Sequence, residues 1–363
     1  MKWKLPLLAV CISFLLIVSA FAENEKNEAL IPELTIIPTQ SVSTVPPNGD
    51  VNPYGVAFVP KGIARGGSLH AGNILVSNFN NSSNLQGTGT TIVRITQQGN
   101  QSVFFQGPQG LGLTTALGVL QRGFVLVGNV PTTDGTCATV QQGSLLVIDR
   151  NGNQVDSLSD SKLLDGPWFL TIHDKGEHAQ IFVSNVLSGT VTRLDVRIAP
   201  HASDIIVESA TQVASGYLHR CDPAALVVGP TGLVYDAKKD VLYVASTGDN
   251  AVFAVHHAGT TNHDQGMGHL IYSDNVHLHG PLALVQAPNG DLVTSNGDAV
   301  NPDPNQPSEI VEFTLSGKFV AQFSVDSAGE GGAFGIALFG SGDHLRFAAV
   351  DDILNVLDVW DVE

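Results

Sequence analysis

The sequence predicts an all-β fold, a six-bladed β-propeller whose N-terminal strand closes the last blade. Three observations carry this. Short apolar runs alternate with Gly, Pro, Asn and Asp clusters, and no convincing amphipathic helix interrupts them. A three-strand unit recurs six times along the chain. Residues 34–44, rich in Thr and Ile, form a strand-like run before the first unit, while the sixth unit is one strand short.

The opening strands of the six units begin at Pro53, Ala116, Pro167, Pro230, Pro281 and Ala333, at spacings of 63, 51, 63, 51 and 52 residues. The second strand ends in a small residue followed by Asn78, Asn129, Asn185 or Asn296; Ser246 and Asp351 take that place in the fourth and sixth units. Third strands follow at 91–95, 144–149, 190–195, 251–255, 309–314 and 354–359. One such sheet cannot bury both faces alone, and stacking six around an axis buries them. Tandem β-sandwiches also space strands evenly but give no reason for a six-fold three-strand repeat. The run at 34–44 supplies the missing outer strand, and Pro38 suits an edge.

Composition agrees. The chain has 363 residues, 43% apolar, enough for a large core. Only 14% are charged and 38 are Gly, which suits a turn-rich β protein. The net charge of −17 disfavours electrostatic binding to nucleic acid or anionic lipid.

Lys2 and Lys4, an apolar run from Leu5 to Ala20, and Ala20-Phe21-Ala22 before Glu23 read as a signal peptide over residues 1–22; an uncleaved membrane anchor is the alternative. Export to the periplasm or the extracellular space is expected, with no membrane association after cleavage. Residues 23–33 read as a linker and 34–363 as one propeller domain. Cys11 lies in the leader, so Cys137 and Cys221 remain, and an even pair in an exported chain points to a disulfide. Two free buried thiols are the alternative.

The run Leu242-Tyr243-Val244-Ala245-Ser246-Thr247-Gly248-Asp249-Asn250-Ala251-Val252-Phe253 resembles an NHL repeat. That pattern has a hydrophobic strand, an acidic or small polar residue, a Gly-containing turn, an Asn and a second hydrophobic strand. Ser246 stands where Asp is usual, and Asp351 restores it in the last unit. The resemblance implies a six-bladed NHL- or TolB-like propeller, with SMP-30/lactonase-like propellers as more distant relatives. Such propellers serve as binding platforms, lactonases, strictosidine-synthase-like enzymes and lyases, so the fold alone does not choose. In the lactonases a divalent ion is held by an acidic residue opening the first blade, with Asn and Asp from others. Asn129, Asn185 and Asp351 are similar to the latter, whereas Asn52-Pro53-Tyr54 opens the first blade here.

Candidate chemistry falls on the loop-rich face. Asn78, Asn129, Asn185, Asn296 and Asp351 offer a ring of oxygens for a divalent cation such as calcium; the competing reading is that Asn at a strand end bonds nearby backbone. Seven of the twelve His lie between 219 and 279. His219 beside Asp222, and His277 with His279, fall in neighbouring connections, as metal ligands or a general base, or as ordinary loop residues. Asp298, Asn301, Asp303 and Asn305 offer further oxygens in a proline-rich insertion without EF-hand spacing. Trp168 is either a rim platform for a flat ligand or an aromatic plug of the channel. No Gly-x-Ser-x-Gly elbow, His-Glu-x-x-His motif or phosphate loop is present. The expectation is a binding platform for a small molecule, glycan or protein at the channel face; the alternative is a metal-dependent hydrolase of the lactonase kind.

Overall fold

The computed structural model describes residues 28–297, 310–326 and 332–362. The expected leader at 1–22, residues 23–27 of the expected linker and the insertion carrying Asp298, Asn301, Asp303 and Asn305 lie outside the described residues. Among the described residues, no helix is long and apolar enough to cross a membrane; the only helical pieces are 3-10 turns of three residues.

Six four-stranded antiparallel sheets form the propeller. Blade one opens with Val51–Phe58, blade two with Leu113–Val119 and blade three with Pro167–Asp174. Blades four, five and six open with Pro230–Asp236, Pro281–Gln286 and Ile336–Phe339. Within each of the first five blades the strands pair in chain order, as a meander. Their second strands are almost wholly buried, because each packs between neighbouring blades.

Where the opening strands converge on the axis, backbones come close. A Cβ on Gly232 would lie 2.3 Å from the Leu282 carbonyl of blade five, and one on Gly335 would lie 2.2 Å from the Tyr54 carbonyl of blade one. The opening strands of the first five blades also bulge near their starts, leaving carbonyls outside the ladder. Buried hydroxyls of the preceding blade take several of them. Ser77 donates to Thr114 O (2.8 Å), Thr114 to Pro167 O (2.8 Å), Thr231 to Pro281 O (3.0 Å) and Ser295 to Phe334 O (2.6 Å). A buried carbonyl without a partner is costly, so these small polar residues hold blade to blade where an aliphatic residue would not.

Blade six takes its outer strand from the other end of the chain. Gln40–Ser43 pairs antiparallel with Val356–Val362, register Gln40 to Val359 and Ser43 to Val356. This is the closure that the run at 34–44 predicts; Pro38 precedes the paired residues. The anchoring begins earlier than the sequence indicates. Leu30 and Ile31, expected in a linker, are buried against blades five and six. Their N–H groups donate to the carboxylate of Glu312 at 2.9 and 2.7 Å. Burial raises the Glu312 pKa, and those two N–H groups oppose the rise. Trp360 Nε1 donates to Thr35 O at 2.8 Å, so the strap is fixed along its length.

The closure seam also carries buried acid. Asp358 stands opposite Ser41, and Asp351 lies on the neighbouring strand, Leu345–Asp351. Burial pushes the Asp358 carboxyl up to about 6, the Ser41 hydrogen bond opposes this, and the Asp351 and Asp326 carboxylates raise it further. A carboxyl raised on folding stabilises most below its unfolded pKa, and that contribution is lost as pH climbs through the folded value.

Two outcomes follow for stability. A chain beginning at Val51 should melt about 10 °C or more below the protein that keeps residues 28–50, since it loses a strand and several buried side chains; an unchanged Tm would refute closure by this strand. Asp358→Asn should stabilise the protein at about pH 8 by roughly 1–3 kcal/mol, and the gain should fade as pH falls from about 6 toward 4. Urea melts across that range measure it, and a gain independent of pH would contradict the assignment.

Candidate functional site

The connections into the blades and the loops between second and third strands share one face, and asparagine holds that face together. Asn185 Nδ2 donates to Leu163 O, Thr190 Oγ1 and Thr192 Oγ1 at 3.0–3.1 Å, while its Oδ1 accepts from Asp165 N. Asn129 Nδ2 donates to Leu111 O and its Oδ1 accepts from Ser144. Asn296 donates to His277 O and accepts from His279 N. Asn78 Nδ2 reaches Thr44 O, and its Oδ1 has no partner. In each case the side-chain amide ties the end of a second strand to the connection entering its own blade. Asp351 Oδ1 accepts from Leu354 N within its own turn. The side chains expected to ring a cation are therefore built into the connections, and none of Asn129, Asn185, Asn296 and Asp351 lines the central cavity. Among the described residues, no group of three or more His, Cys, Asp and Glu is placed to hold a metal ion.

The histidines are held locally as well. His277 stacks on Phe319, centroids 3.8 Å apart, and its Nδ1 lies 2.9 Å from Asp274 Oδ2. Burial would raise the Asp274 pKa, but hydrogen bonds from Tyr272 and His277 hold it well below the usual carboxylate range. His279 Nε2 lies 3.1 Å from Val276 O, and His219 Nδ1 lies 3.1 Å from Tyr217 O. Asp222 turns a hairpin, accepting from Ala224 N and Ala225 N at 2.9 and 3.0 Å. None of the four lines the cavity.

That hairpin, Arg220–Asp222 paired with Leu226–Val228, is an addition to the six blades, placed in the connection from blade three to blade four. Cys221 on it is bonded to Cys137 in the loop between the second and third strands of blade two, with Cα atoms 5.6 Å apart. Gln86 Nε2 donates to Ala224 O at 2.8 Å, a second tether, from blade one. Ala224, Ala225 and Val227 of the hairpin thereby form part of the wall of a cavity of about 470 Å³ at the channel mouth.

The cavity floor is aromatic. Tyr54 is stacked between Phe79 and Phe334, at 4.6 and 4.4 Å, and Trp168 meets Tyr54 and Phe79 edge-on. Trp168 is 2% exposed, so it closes the channel as a plug instead of standing on the rim. The wall above it is mixed: Asn52, Asn80, Asn84, Asn355, Asp352 and Gln86 supply polar groups beside the apolar Val51, Leu282 and Ile353. Asn52, Asn84 and Asn355 have φ of 59, 56 and 55°, the left-handed region where Asn is among the residues best tolerated. No repeat or motif singles out Asn80, Asn84 or Asn355 in the sequence. The available signal is the run 78–84, which carries Asn at 78, 80, 81 and 84 across a strand end and the loop after it.

No family model matches the chain, and no curated protein matches it. Solved structures do resemble its fold. The Malassezia sympodialis allergen Mala s 1 is 12% identical, with TM-score 0.57, covering 88% of this chain and 94% of its own. A calcium-binding protein, regucalcin, from Agrobacterium tumefaciens is 12% identical, with TM-score 0.52, covering 89% and 94%. A luciferin-regenerating enzyme is 9% identical, with TM-score 0.51, covering 88% and 94%. At these identities the likeness is one of fold alone, that of the six-bladed propeller.

Replacing Cys137 and Cys221 with Ser should cost roughly 2–4 kcal/mol of stability and speed amide exchange in the 220–228 hairpin. Peptide mapping without reductant that recovers both cysteines as free thiols would remove the tether.

Proposed function

We propose that this chain is an exported binding protein of the NHL propeller type, taking a small organic ligand in the cavity at the channel mouth. One observation carries the reading: a cavity of about 470 Å³, with polar groups on a mixed wall, stands on an aromatic floor beneath a hairpin held by a disulfide and a side-chain hydrogen bond. This is the size and make-up of a small-molecule site, with an apolar base for contact area and polar groups for orientation. Export is supported by the apolar leader at 1–22 and by a disulfide, which persists in oxidising compartments. The NHL assignment rests on the run from Leu242 to Phe253. Binding of a glycan or a protein at the same face is the neighbouring form of this reading.

The hydrolase reading draws on fold likeness to regucalcin and to the luciferin-regenerating enzyme. It would need a divalent cation bound through oxygens, and the asparagines expected for that role bind the connections of their own blades.

Ala225 lies on the hairpin and faces the cavity. Ala225→Trp should fill the mouth without touching a blade. Ligands that raise Tm in a metabolite screen should lose their effect in this variant, with the unliganded Tm unchanged. Ligands that stabilise both proteins equally would move the site elsewhere. A stoichiometric divalent ion together with turnover of a lactone panel would replace binding with hydrolysis.

A further inference from the structure

We infer that the face opposite the cavity carries a binding site for an acidic polysaccharide, built on the arginines of blades one and two; it does not depend on the cavity being a ligand site. The charge of the chain is unevenly placed. Residues 51–158, which make these two blades, hold five Lys and Arg against three Asp and no Glu, a net +2, while all other residues together hold −19. The eight arginines divide the same way. Outside blades one and two each has a carboxylate partner: Arg193 with Asp195, Arg197 with Glu208, Arg220 with Asp222 and Arg346 with Asp361, at 3.0–3.4 Å. Inside them, among the described residues, Arg65, Arg94 and Arg150 have no such partner. Arg122 reaches Glu177 of blade three at 3.4 Å, with both side chains partly in solvent.

These four are gathered at one place. Arg150 Nη1 donates to Arg65 O at 2.7 Å and its Nη2 to Arg122 O at 3.2 Å. Ser68 N donates to Arg150 O at 3.0 Å, and Arg94 Nη1 donates to Ser68 O. The connections involved, 59–73, 120–124 and 149–153, join first to second strands or third to fourth, so they lie on the face away from the cavity mouth. Their one acid is Asp149, which accepts from Asn151 N and Asn153 N within its own turn. A guanidinium bonded to carbonyls keeps its positive charge uncompensated, and here several do so side by side.

Shape and chemistry narrow the partner. The same face of blades three to five carries Asp174, Asp236, Asp240 and Asp291. A flat anionic bilayer or a rigid duplex would press on those acids as well, whereas one thin chain keeps to the loops of blades one and two. Single-stranded nucleic acid calls for aromatic side chains on which bases stack, and among the described residues no aromatic side chain is exposed. Acidic sugars call for charge-assisted bonds to their anionic groups and for partners to their hydroxyls. Arg65 and Arg122 supply the first, and the exposed Gln98, Gln121 and Asn151 of the same face supply the second.

Biolayer interferometry against immobilised heparin, polygalacturonate and neutral dextran tests this, with a DNA duplex and phosphatidylglycerol vesicles as further arms. At about 50 mM salt at least one acidic polysaccharide should bind and dextran should not, and about 500 mM salt should abolish the binding. Arg65→Ser combined with Arg122→Gln should weaken it at least about ten-fold with Tm unchanged. Arg197→Gln combined with Arg220→Gln removes the same charge outside the two blades and should leave the affinity within about two-fold. Equal losses in the two double variants would reduce the effect to net charge and overturn the site. Tighter binding to the duplex or the vesicles than to either acidic polysaccharide would change the partner class and overturn the inference. No binding of either acidic polysaccharide up to about 1 mM of chain at low salt would overturn it outright.

Discussion

A ring of sheets must be joined somewhere, and here the joint is made by the two ends of the chain. Gln40–Ser43 completes the sheet that Val356–Val362 would otherwise leave as an open edge. The strap before it is anchored by an unusual device: a buried glutamate, Glu312, that receives two consecutive backbone N–H groups. The start of a short 3-10 turn leaves such donors without partners, and a carboxylate satisfies both. Blade five thus holds the segment that closes blade six. The closure brings together residues some three hundred apart in sequence, and its loop entropy is offset once, by a large buried surface.

The candidate site depends on that joint. Thr44 N donates to Asn355 O, Asn78 Nδ2 donates to Thr44 O, and Asn52 N donates to Asn355 Oδ1. These contacts put a residue of blade one and a turn of blade six on the same wall of the cavity. The opposite wall comes from the 220–228 hairpin, tied to blade two by a disulfide and to blade one by Gln86. Blades one, three, four, five and six therefore all contribute to the wall of a single opening. A propeller opened at its seam would lose the Asn52–Asn355 contact before its blades had unfolded.

The blades were legible because burial on both faces imposes strong patterns. The second strands are continuous apolar runs, and the tight turns between strands call for Gly, Asn and Asp. The seam was legible from an orphan strand and a missing one. The strap at Leu30 and Ile31 was not, because its partner is one glutamate at 312 and a pairing of that kind has no period. The site was legible only in part. Trp168 and the cysteine pair lie at the face that carries the cavity, but Asn129, Asn185 and Asn296 attract attention by recurring, and recurrence marks a structural duty shared among blades. The candidate site is built from what does not recur: Asn52, Asn80 and Asn84 in blade one alone, and a hairpin before blade four alone.

The same contrast appears among chemically identical side chains. Asn185 and Asn129 have partners at both ends of the amide, so neither end remains for a ligand. Asn80 uses its nitrogen on Asn84, and its oxygen is buried without a partner. Elsewhere along the blades even bulged carbonyls find a hydroxyl, as Thr114 O and Pro167 O do.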